Sequence, residues 1–396
     1  MAKGSHCQNS CPPNNKKIIE INGCFMKIAF DHQVFSFQEY GGVSRYVCNL
    51  AISIARQPDV EAKIYAPLHV NAYLADLPSN LVSGYRLRKF NGAVNKYISV
   101  AANKILVIPK LRGFRPDIVH ETYYSSLAYL PKGARRVITV YDMIHEKIPG
   151  MSSPWRFSHK RKRDAVLRAD HVVCISRATR NDLLEYIGVP EEKVSVVHLG
   201  FSIRKDHEFQ SNKIGEKESK PYILYVGNRG GYKNFSRAIC AYASSKMLMD
   251  NFKFVCFGGE GVTNDEMAML RTLNISSGLV QFKRGGDELL AEAYANARVF
   301  IYPSLYEGFG LPPLEAMSYG CPVVCSNTSS IPEIVGDAGE YFDPNEPSSI
   351  RIALESVAMF DDKRVELIFA GYRRLSCFSW DKCANETLSI YQDLLC

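Results

Sequence analysis

The sequence predicts an α/β protein with two doubly wound domains that face each other across a cleft. Short apolar runs alternate with helical stretches along most of the 396 residues, a pattern typical of parallel sheets. The charged segment 202–220 has no apolar period and divides these runs into two series, so it is predicted to be the interdomain linker. Because ligands bind beyond the carboxyl ends of parallel strands, we expect the site in the cleft.

The first series, residues 27–201, predicts the N-terminal domain. Its first buried strand is Met26–Phe30, and a loop with two glycines then leads into a helix over Ser44–Arg56. The preceding residues, 1–26, are polar and lack the apolar stretch of a signal peptide, so they are predicted to be a disordered extension. Further apolar runs of strand length are Ala62–Ala66, Asp117–His120, Val137–Val140, His171–Ile175 and Val194–Val197.

The second series, residues 221–380, predicts the C-terminal domain. A final helix within 381–396 is expected to return to the N-terminal domain. The expected strands are Tyr222–Val226, Phe252–Phe257, Val299–Tyr302 and Pro322–Ser326. The expected helices are Phe235–Met247, Asp287–Ala297 and Pro312–Tyr319, the last with a proline in its first turn, where no hydrogen-bond donor is lost.

Composition and cysteine spacing favour a globular protein of a reducing compartment. The twelve cysteines include no CxxC pair and no cysteine–histidine cluster with zinc spacing, which argues against a metal site. No run approaches the roughly 20 apolar residues that span a bilayer. We therefore expect buried thiols and a cytoplasmic protein.

Basic residues are concentrated in two stretches, which favours anionic partners. Residues 84–115 contain eight basic and no acidic side chains, and a second run covers 156–163. The first stretch contains a helical stripe that either packs on the core or makes a peripheral membrane contact holding a lipid-linked acceptor. A nucleic-acid partner is not expected, because no recognisable binding motif with interleaved aromatics is present. The stripe is Val94, Tyr97, Ile98, Ala101 and Ile105, with Lys96 and Lys104 beside it.

The segment 302–315 places two carboxylates after a predicted strand. Glu307 lies in a loop with two glycines, and a helix is predicted to begin at about Pro312, which puts Glu315 in its first turn. Glycines let the backbone approach a ligand closely, and a helix start attracts anions. The two carboxylates can accept hydrogen bonds from two different sugars. The alternative is that Glu315 only complements the helix dipole and Glu307 is a solvated loop residue.

A second glycine-rich loop, Val226–Asn234, links the first strand of the second domain to a helix. Arg229 and Lys233 can converge on a diphosphate there, the arginine as a fork and the lysine as a point charge. Asn234 suits an N-cap. The loop is neither a Walker loop nor a GxGxxG motif. The alternative is that both cations are ordinary surface charges.

With these segments the sequence resembles the family 4 glycosyltransferases, which have the GT-B fold of two Rossmann-like domains. The resemblance runs from about Lys27 to the C-terminus. Its most specific element is Glu-x7-Glu over Glu307–Glu315, followed by Ala-Met and, after Gly320, by Pro-Val-Val. Other matching segments are 226–234, 287–297, Gly41–Tyr46, Ile175–Thr179 and Val197–Gly200.

The resemblance implies a role for each residue of the donor site. Glu307 would hold the hydroxyls of the donor sugar, and Glu315 those of the ribose. Arg229 and Lys233 would neutralise the leaving diphosphate. The donor-binding set is completed by Gly308, Phe309, Gly310 and Leu311, and by Gly42 of the loop that would close over the donor from the first domain.

The acceptor side departs from the family pattern at one position. Many relatives carry a histidine at the end of the strand matching Val137–Val140, where this sequence has Tyr141. A nearby aspartate or histidine can supply the polar contact instead; the alternatives are an ordinary strand-end aspartate and structural histidines. The expected acceptor-side residues are Asp142, which is also placed among the catalytic residues, and His120, Tyr123, Tyr141 and His145.

The resemblance also implies the reaction. It is a retaining, metal-independent transfer of a hexose from a nucleotide-diphosphate sugar to a glycan or lipid-linked acceptor, with no cofactor. The motifs resemble those of bacterial mannosyltransferases of surface-polysaccharide assembly, which favours GDP-mannose over a UDP-sugar as the donor. A nucleotide-sugar epimerase or hydrolase of the same fold is the remaining alternative.

Overall fold

Two parallel sheets, one in each half of the chain, form the framework of the protein. The computed structural model describes residues 25–87, 92–148, 156–202 and 220–396. Residues 1–24 of the predicted extension 1–26 and residues 203–219 of the predicted linker 202–220 lie outside the described residues, as do Arg88 and Lys89 of the first basic stretch.

The N-terminal half contains seven strands among its described residues. They are β1 Met26–Phe30, β2 Val60–His69, β3 Val82–Arg86, β4 Ile118–Glu121, β5 Arg135–Val140, β6 His171–Cys174 and β7 Val194–Val196. They pair in the order β3-β2-β1-β4-β5-β6-β7, all parallel. The helices are α1 Gly42–Ala55, α2 Gly92–Phe114, α3 Ile144–Lys147, α4 Arg156–Arg168 and α5 Arg177–Ile187.

The C-terminal half repeats this plan with six strands over residues 220–396. They are β8 Tyr222–Val226, β9 Lys253–Phe257, β10 Val280–Lys283, β11 Val299–Tyr302, β12 Val323–Ser326 and β13 Gly339–Phe342, in the order β10-β9-β8-β11-β12-β13. The helices are α6 Phe235–Ala243, α7 Lys246–Asn251, α8 Asn264–Thr272, α9 Asp287–Asn296, α10 Leu311–Ser318, α11 Ile331–Val335, α12 Pro347–Ala358, α13 Asp361–Leu375 and α14 Trp380–Leu395.

Central strands are buried along their whole length, as continuous apolar runs predict for parallel sheets covered on both faces. Every residue of β4, β6, β11 and β12 is buried. In each sheet the strand order reverses once, between β1 and β4 and between β8 and β11. Loops that leave the carboxyl ends of the strands near these reversals therefore border a crevice suited to a ligand.

The predicted fold class is confirmed. Three strands were not predicted from the sequence. β3, β10 and β13 all lie at sheet edges. No residue of β3 or β10 is buried, and β13 has one buried residue. An edge strand with few buried side chains needs no continuous apolar run, so the pattern that identifies the central strands is missing from these three.

Helix α2 buries a different face from the one its apolar residues suggest. Tyr97 is 78% exposed and Ile105 is 72% exposed, whereas Asn95, Ser99 and Asn103 are buried. The Asn103 amide donates to the Leu68 carbonyl at 2.6 Å and accepts from its N–H at 2.9 Å, which attaches the helix to β2. The expectation that the apolar stripe packs on the core is therefore wrong.

The C-terminal helix α14 packs against the N-terminal domain. The Trp380 ring lies 6.1 Å from that of Tyr46 in α1, and the Tyr391 hydroxyl is hydrogen-bonded to His120 Nδ1 in β4. A Cβ atom at Gly200 would lie 2.5 Å from the Trp380 ring, so a larger residue at this position would push the helix away. The chain end is thus held to the first domain.

Candidate active site

Lys233 and Glu307 form an ion pair where two neighbouring strands end. Lys233 ends a short 3₁₀ turn, Gly231–Lys233, that follows β8, and Glu307 lies in the loop after β11. Because β8 and β11 are paired in the sheet, their loops are adjacent. Lys233 Nζ lies 2.6 Å from Glu307 Oε1, and the two side chains are 20% and 13% exposed. The pair therefore remains accessible to a ligand.

Aromatic rings surround this ion pair. Lys233 Nζ lies 5.1 Å from the ring centre of Tyr232 and 5.7 Å from that of Tyr302, within the range of cation–π attraction. Burial, together with the negative charges of Glu307 and Asp142, raises the pKa of Tyr232 to about 12. Tyr232 therefore interacts electrostatically with one carboxylate from each domain. The expected donor and acceptor sides lie on either side of this tyrosine.

The loop that carries Glu307 is pressed against the first domain. A Cβ atom at Gly308 would lie 1.9 Å from the Tyr141 carbonyl oxygen, so only glycine allows this approach. The Gly308 carbonyl accepts hydrogen bonds from the hydroxyls of Ser176 and Thr179, at 2.7 and 3.2 Å. The close backbone approach expected of this glycine is thus made to the opposite domain.

Phe309 and Gly310 shape the remainder of the loop. Phe309 is 4% exposed and packs edge-on against Phe378, 5.8 Å between ring centres, so its side chain anchors the loop. Gly310 has φ +119°, a left-handed conformation that disfavours other residues, and directly precedes α10. Leu311 is the first residue of that helix and is partly exposed.

Glu315 lies just beyond the first turn of α10, one residue deeper than expected. The helix begins at Leu311 rather than Pro312, which leaves Glu315 outside its first turn. The alternative that Glu315 only complements the helix dipole therefore does not apply. The Tyr294 hydroxyl of α9 donates to Glu315 Oε2 at 3.3 Å. Both residues line a pocket that also reaches Arg45 of α1 in the other domain.

Arg229 is directed away from the Lys233 pair toward the loop after β9. Its guanidinium donates to Glu266 at 2.6 Å and to the carbonyls of Gly258, Glu260 and Gly261 at 2.7 to 3.0 Å. The side chain is 5% exposed in its ion pair with Glu266. These contacts hold Arg229 at the loop after β9, and they do not favour the expected convergence of Arg229 and Lys233 on one ligand.

Asn234 occupies the N-cap position of α6, but its side chain does not cap the helix. The side-chain amide instead donates to the carbonyls of Pro303 and Pro344, at 3.0 and 2.7 Å. Asn234 has φ +60°, which asparagine tolerates better than most residues. Its role is therefore to hold the Lys233 turn against the loop after β11.

On the acceptor side, Asp142 faces the cleft. It follows β5, its carboxylate is 41% exposed, and Oδ1 accepts from the Ile144 N–H at 3.2 Å. The ring of Tyr123 is partly buried beside Phe37, at 4.9 Å, and burial followed by the charge of Asp142 raises the pKa of this tyrosine. Asp142 and Tyr123 thus lie together at the carboxyl ends of β4 and β5.

The other expected acceptor-side residues are placed differently. His120 is 2% exposed, bonds Thr139 at 2.8 Å and Tyr391, and burial lowers its pKa to about 3. This placement contradicts a direct contact of His120 with an acceptor. Tyr141 is also buried, and its hydroxyl donates to the Thr122 carbonyl at 3.1 Å. His145 is exposed on α3.

The loop around Gly42 opens the first domain toward the cleft. Gly42 is the first residue of α1, two residues earlier than the predicted helix start. A Cβ atom at Gly42 would meet no atom within 4 Å, whereas one at Gly41 would lie 2.5 Å from the Gln38 side chain. A larger residue at Gly41 would displace only the end of the Gln38 side chain, and open space lies beside Gly42.

Two clamps between the domains escaped sequence reasoning. Glu333 of α11 accepts hydrogen bonds from the backbone N–H groups of Arg177 and Ala178 at the start of α5, and from His198 at 2.6 Å. Tyr306 donates to Asp182 at 2.9 Å and accepts from the Met143 N–H. Each of these contacts depends on how the two halves pack against each other, so no local sequence pattern predicts it.

Across the described ranges no group of three or more His, Cys, Asp or Glu side chains could hold a metal ion. The helices found there are all too short or too polar to cross a membrane.

Comparison with known proteins places both halves of the chain. Residues 40–205 match the family model Glycosyltransferase Family 4, and residues 206–374 match Glycosyl transferases group 1. O-antigen chain mannosyltransferase B of Escherichia coli is 29% identical over 292 residues, 71% of this chain and 76% of that protein. MMP alpha-(1->4)-mannosyltransferase of Mycolicibacterium hassiacum is 35% identical over 231 residues, 56% of this chain and 53% of that protein.

Solved structures share the whole architecture. The structure of Anabaena HepE in complex with UDP and glucose is similar with a TM-score of 0.66 at 17% identity, over 93% of this chain and 99% of that chain. At that identity the likeness concerns the fold.

Proposed function

Because the chain belongs to the family 4 glycosyltransferases, we propose that it transfers mannose from GDP-mannose to a glycan or lipid-linked acceptor in surface-polysaccharide synthesis. The observation that carries the proposal is the ion pair of Lys233 and Glu307 at the cleft, 2.6 Å apart. It places a cation suited to a diphosphate beside a carboxylate suited to sugar hydroxyls. The choice of mannose rests on the two mannosyltransferase relatives.

The donor lies with its diphosphate against Lys233. When the phosphate replaces Glu307 as the partner of Nζ, the Glu307 carboxylate is released to accept hydrogen bonds from the sugar. Glu315, oriented by Tyr294, accepts the ribose hydroxyls in the adjacent cavity. Arg229 acts on this site indirectly, by holding the loop after β9.

The reaction proceeds by charge stabilisation of the leaving group and retains the anomeric configuration. The bond between the anomeric carbon and the diphosphate oxygen breaks, and the acceptor hydroxyl oxygen attacks the same face. Its proton passes to the departing diphosphate, while Lys233 balances the developing charge without a metal ion. Asp142 accepts a hydrogen bond from a hydroxyl of the acceptor next to the attacking one. It thereby orients the acceptor, while the attacking hydroxyl keeps its proton for the diphosphate.

The donor is tested with purified protein. We expect GDP to raise the melting temperature more than equal concentrations of UDP or ADP, since a ligand that binds only the folded state stabilises it. A larger shift with UDP would contradict the choice of donor. Release of GDP from GDP-mannose should rise when methyl α-mannoside is added; release that is independent of acceptor would instead indicate a hydrolase or epimerase.

Stereochemistry and metal dependence are tested on the same reaction. Proton NMR of the early product should show the α configuration of the donor, and turnover should persist in EDTA. A β-linked product would contradict the retaining mechanism. Turnover that falls in EDTA and returns with Mg²⁺ would contradict metal independence.

Helix α2 supports a peripheral membrane contact for a lipid-linked acceptor. Tyr97, Ile98 and Ile105 are exposed beside the exposed lysines Lys96 and Lys104. Exposed apolar side chains flanked by lysines match an interfacial helix that binds anionic lipid.

Sedimentation with phosphatidylglycerol vesicles tests this contact. We expect salt-sensitive binding that is lost in Tyr97→Ser/Ile105→Ser. Ile352→Ser, which alters an exposed isoleucine of α12, serves as the matched control and should still bind. Wild-type protein that stays in the supernatant would overturn the proposal.

A further inference from the structure

Lys162 is a buried lysine in a segment that looks solvent-exposed in the sequence. It lies in α4 within the basic run 156–163, yet its side chain is 2% exposed. Lysine is almost never so buried without partners, because desolvating the ammonium is unfavourable. Here Nζ donates to the Asp142 carbonyl and to Glu146 Oε2, each at 2.9 Å, and lies 5.4 Å from the ring centre of Tyr124.

Glu146 connects this lysine to the surface. Its side chain is fully buried, and Oε1 is paired with His159 Nδ1 at 2.9 Å. Burial alone would raise the pKa of Glu146, but the charge of Lys162 and the hydrogen bonds from His159 and Lys162 hold it below its usual value. A chain of hydrogen-bonded polar groups thus runs from the half-exposed His159 through Glu146 and Lys162 to Asp142.

The turn that these groups hold borders the cleft. Lys162 Nζ also lies 3.7 Å from Asp142 Oδ1, so it contacts both the backbone and the carboxylate of the same residue. Tyr141, the preceding residue, has its hydroxyl turned inward to Thr122 and its carbonyl pressed against Gly308 of the donor loop. The Asp142 carboxylate stays 41% exposed, and its negative charge helps to raise the pKa of Tyr232 in the second domain.

We propose that Lys162 is a positioning residue for sugar transfer: paired with Glu146, it sets the direction of the Asp142 carboxylate toward the acceptor hydroxyl. The inference rests on the proposed contact between Asp142 and the acceptor. It assigns Lys162 to the scaffold beneath the site and not to the anion-binding surface that its basic neighbours suggest.

The test compares acceptor kinetics in matched variants. Lys162→Met/Glu146→Gln removes both charges together, and a buried ion pair replaced as a unit is often tolerated. We expect kcat/KM for the acceptor to fall at least tenfold, with the KM for the donor unchanged. Lys160→Met, an exposed lysine of the same helix, should match the wild type.

Coupling to Asp142 separates positioning from a general structural role. Asp142→Asn should lower kcat/KM for the acceptor, and adding the Lys162/Glu146 changes should produce little further loss, because the carboxylate they orient is already gone. Losses that multiply would overturn the inference. If the pair variant does not fold, His159→Ala tests the exposed end of the chain and should lower acceptor kcat/KM two- to threefold; no change would also overturn the inference.

Failure of the inference is distinguishable from failure of the proposed function. If Asp142→Asn transfers sugar as well as the wild type, the acceptor contact itself is wrong and the inference falls with it. If Asp142→Asn is impaired while the pair variant and His159→Ala behave like Lys160→Met, only the positioning role of Lys162 is wrong. The GDP and UDP melting temperatures test the donor independently of both outcomes.

Discussion

Two lysine–glutamate pairs flank the cleft, and they differ chiefly in burial. Lys233 and Glu307 lie 2.6 Å apart with side chains 20% and 13% exposed, whereas Lys162 and Glu146 lie 2.9 Å apart with side chains 2% and 0% exposed. Both lysines lie against aromatic rings. In the accessible pair each side chain can exchange its partner for a ligand. The buried pair instead fixes the turn that carries Asp142.

Burial therefore separates two uses of the same chemistry. Charged side chains at a cleft keep part of their hydration and can pair instead with a phosphate or hydroxyl group of the substrate. Charges beneath it must satisfy each other, since an unpaired buried ion is strongly destabilising. The pairs should accordingly respond differently to substitution. Loss of the accessible pair should lower activity with little change in stability, whereas breaking the buried pair should lower stability and, through Asp142, kcat/KM for the acceptor.

The largest effect is expected at the buried pair. Glu146→Gln leaves the Lys162 ammonium with only the more distant Asp142 carboxylate, at 3.7 Å, as a counter-charge and should lower the free energy of unfolding by about 3 kcal/mol. Urea denaturation measures this loss. The double variant Lys162→Met/Glu146→Gln should recover most of the stability; if it is as unstable as the single variant, the two residues do not act as a pair.

The accessible pair should show the reverse behaviour. Lys233→Ala is expected to raise the activation barrier by about 3 kcal/mol, a rate loss of roughly a hundredfold, because the leaving diphosphate loses its cation. The melting temperature should stay close to that of the wild type. Steady-state kinetics beside Lys246→Ala, an exposed lysine of α7, provide the comparison; near wild-type turnover in Lys233→Ala would remove the assignment.

Arg229 should behave as an intermediate case. Its bonds to Glu266 and to the loop after β9 predict that Arg229→Ala lowers the free energy of unfolding by about 2–3 kcal/mol. The loss of kcat should be smaller than for Lys233→Ala. Unchanged stability with a rate loss equal to that of Lys233→Ala would show instead that Arg229 also contacts the diphosphate.

The smallest effect concerns the clamp between the domains. Burial would raise the pKa of Glu333, but the hydrogen bonds from His198 and from the α5 backbone hold it below 4.5. A depressed carboxyl pKa contributes stability above its usual value and loses it as the pH falls through the folded value. Glu333→Gln should thus be about 1 kcal/mol less stable than the wild type at pH 7, with the difference closing below about pH 4.5. A constant difference in thermal melts would contradict this.

Local sequence identified both members of the accessible pair separately, because each lies in a glycine-containing loop after an apolar strand. Pairing of β8 with β11 then brings Lys233 and Glu307 together, as the fold class implies. Local sequence does not predict the bond of Arg229 to Glu266, which lies 37 positions away on α8.

The buried pair could not be recognised from the sequence. Lys162 lies among basic residues, and only the packing of α4 against the turn after β5 directs it inward. His120 was misplaced for a similar reason, because its partner Tyr391 is supplied by the final helix of the chain. Helix α2 exposes its apolar stripe because Asn103 bonds the backbone of β2, a contact that hydrophobic spacing does not reveal.

The accessible pair is expected to bind the donor, and the buried pair to support the acceptor side. The melting-temperature shift that GDP produces in three proteins distinguishes these two roles. We expect equal shifts for the wild type and Lys162→Met/Glu146→Gln, and little or no shift for Lys233→Ala. A full shift in Lys233→Ala, or its loss in the buried-pair variant, would contradict these roles.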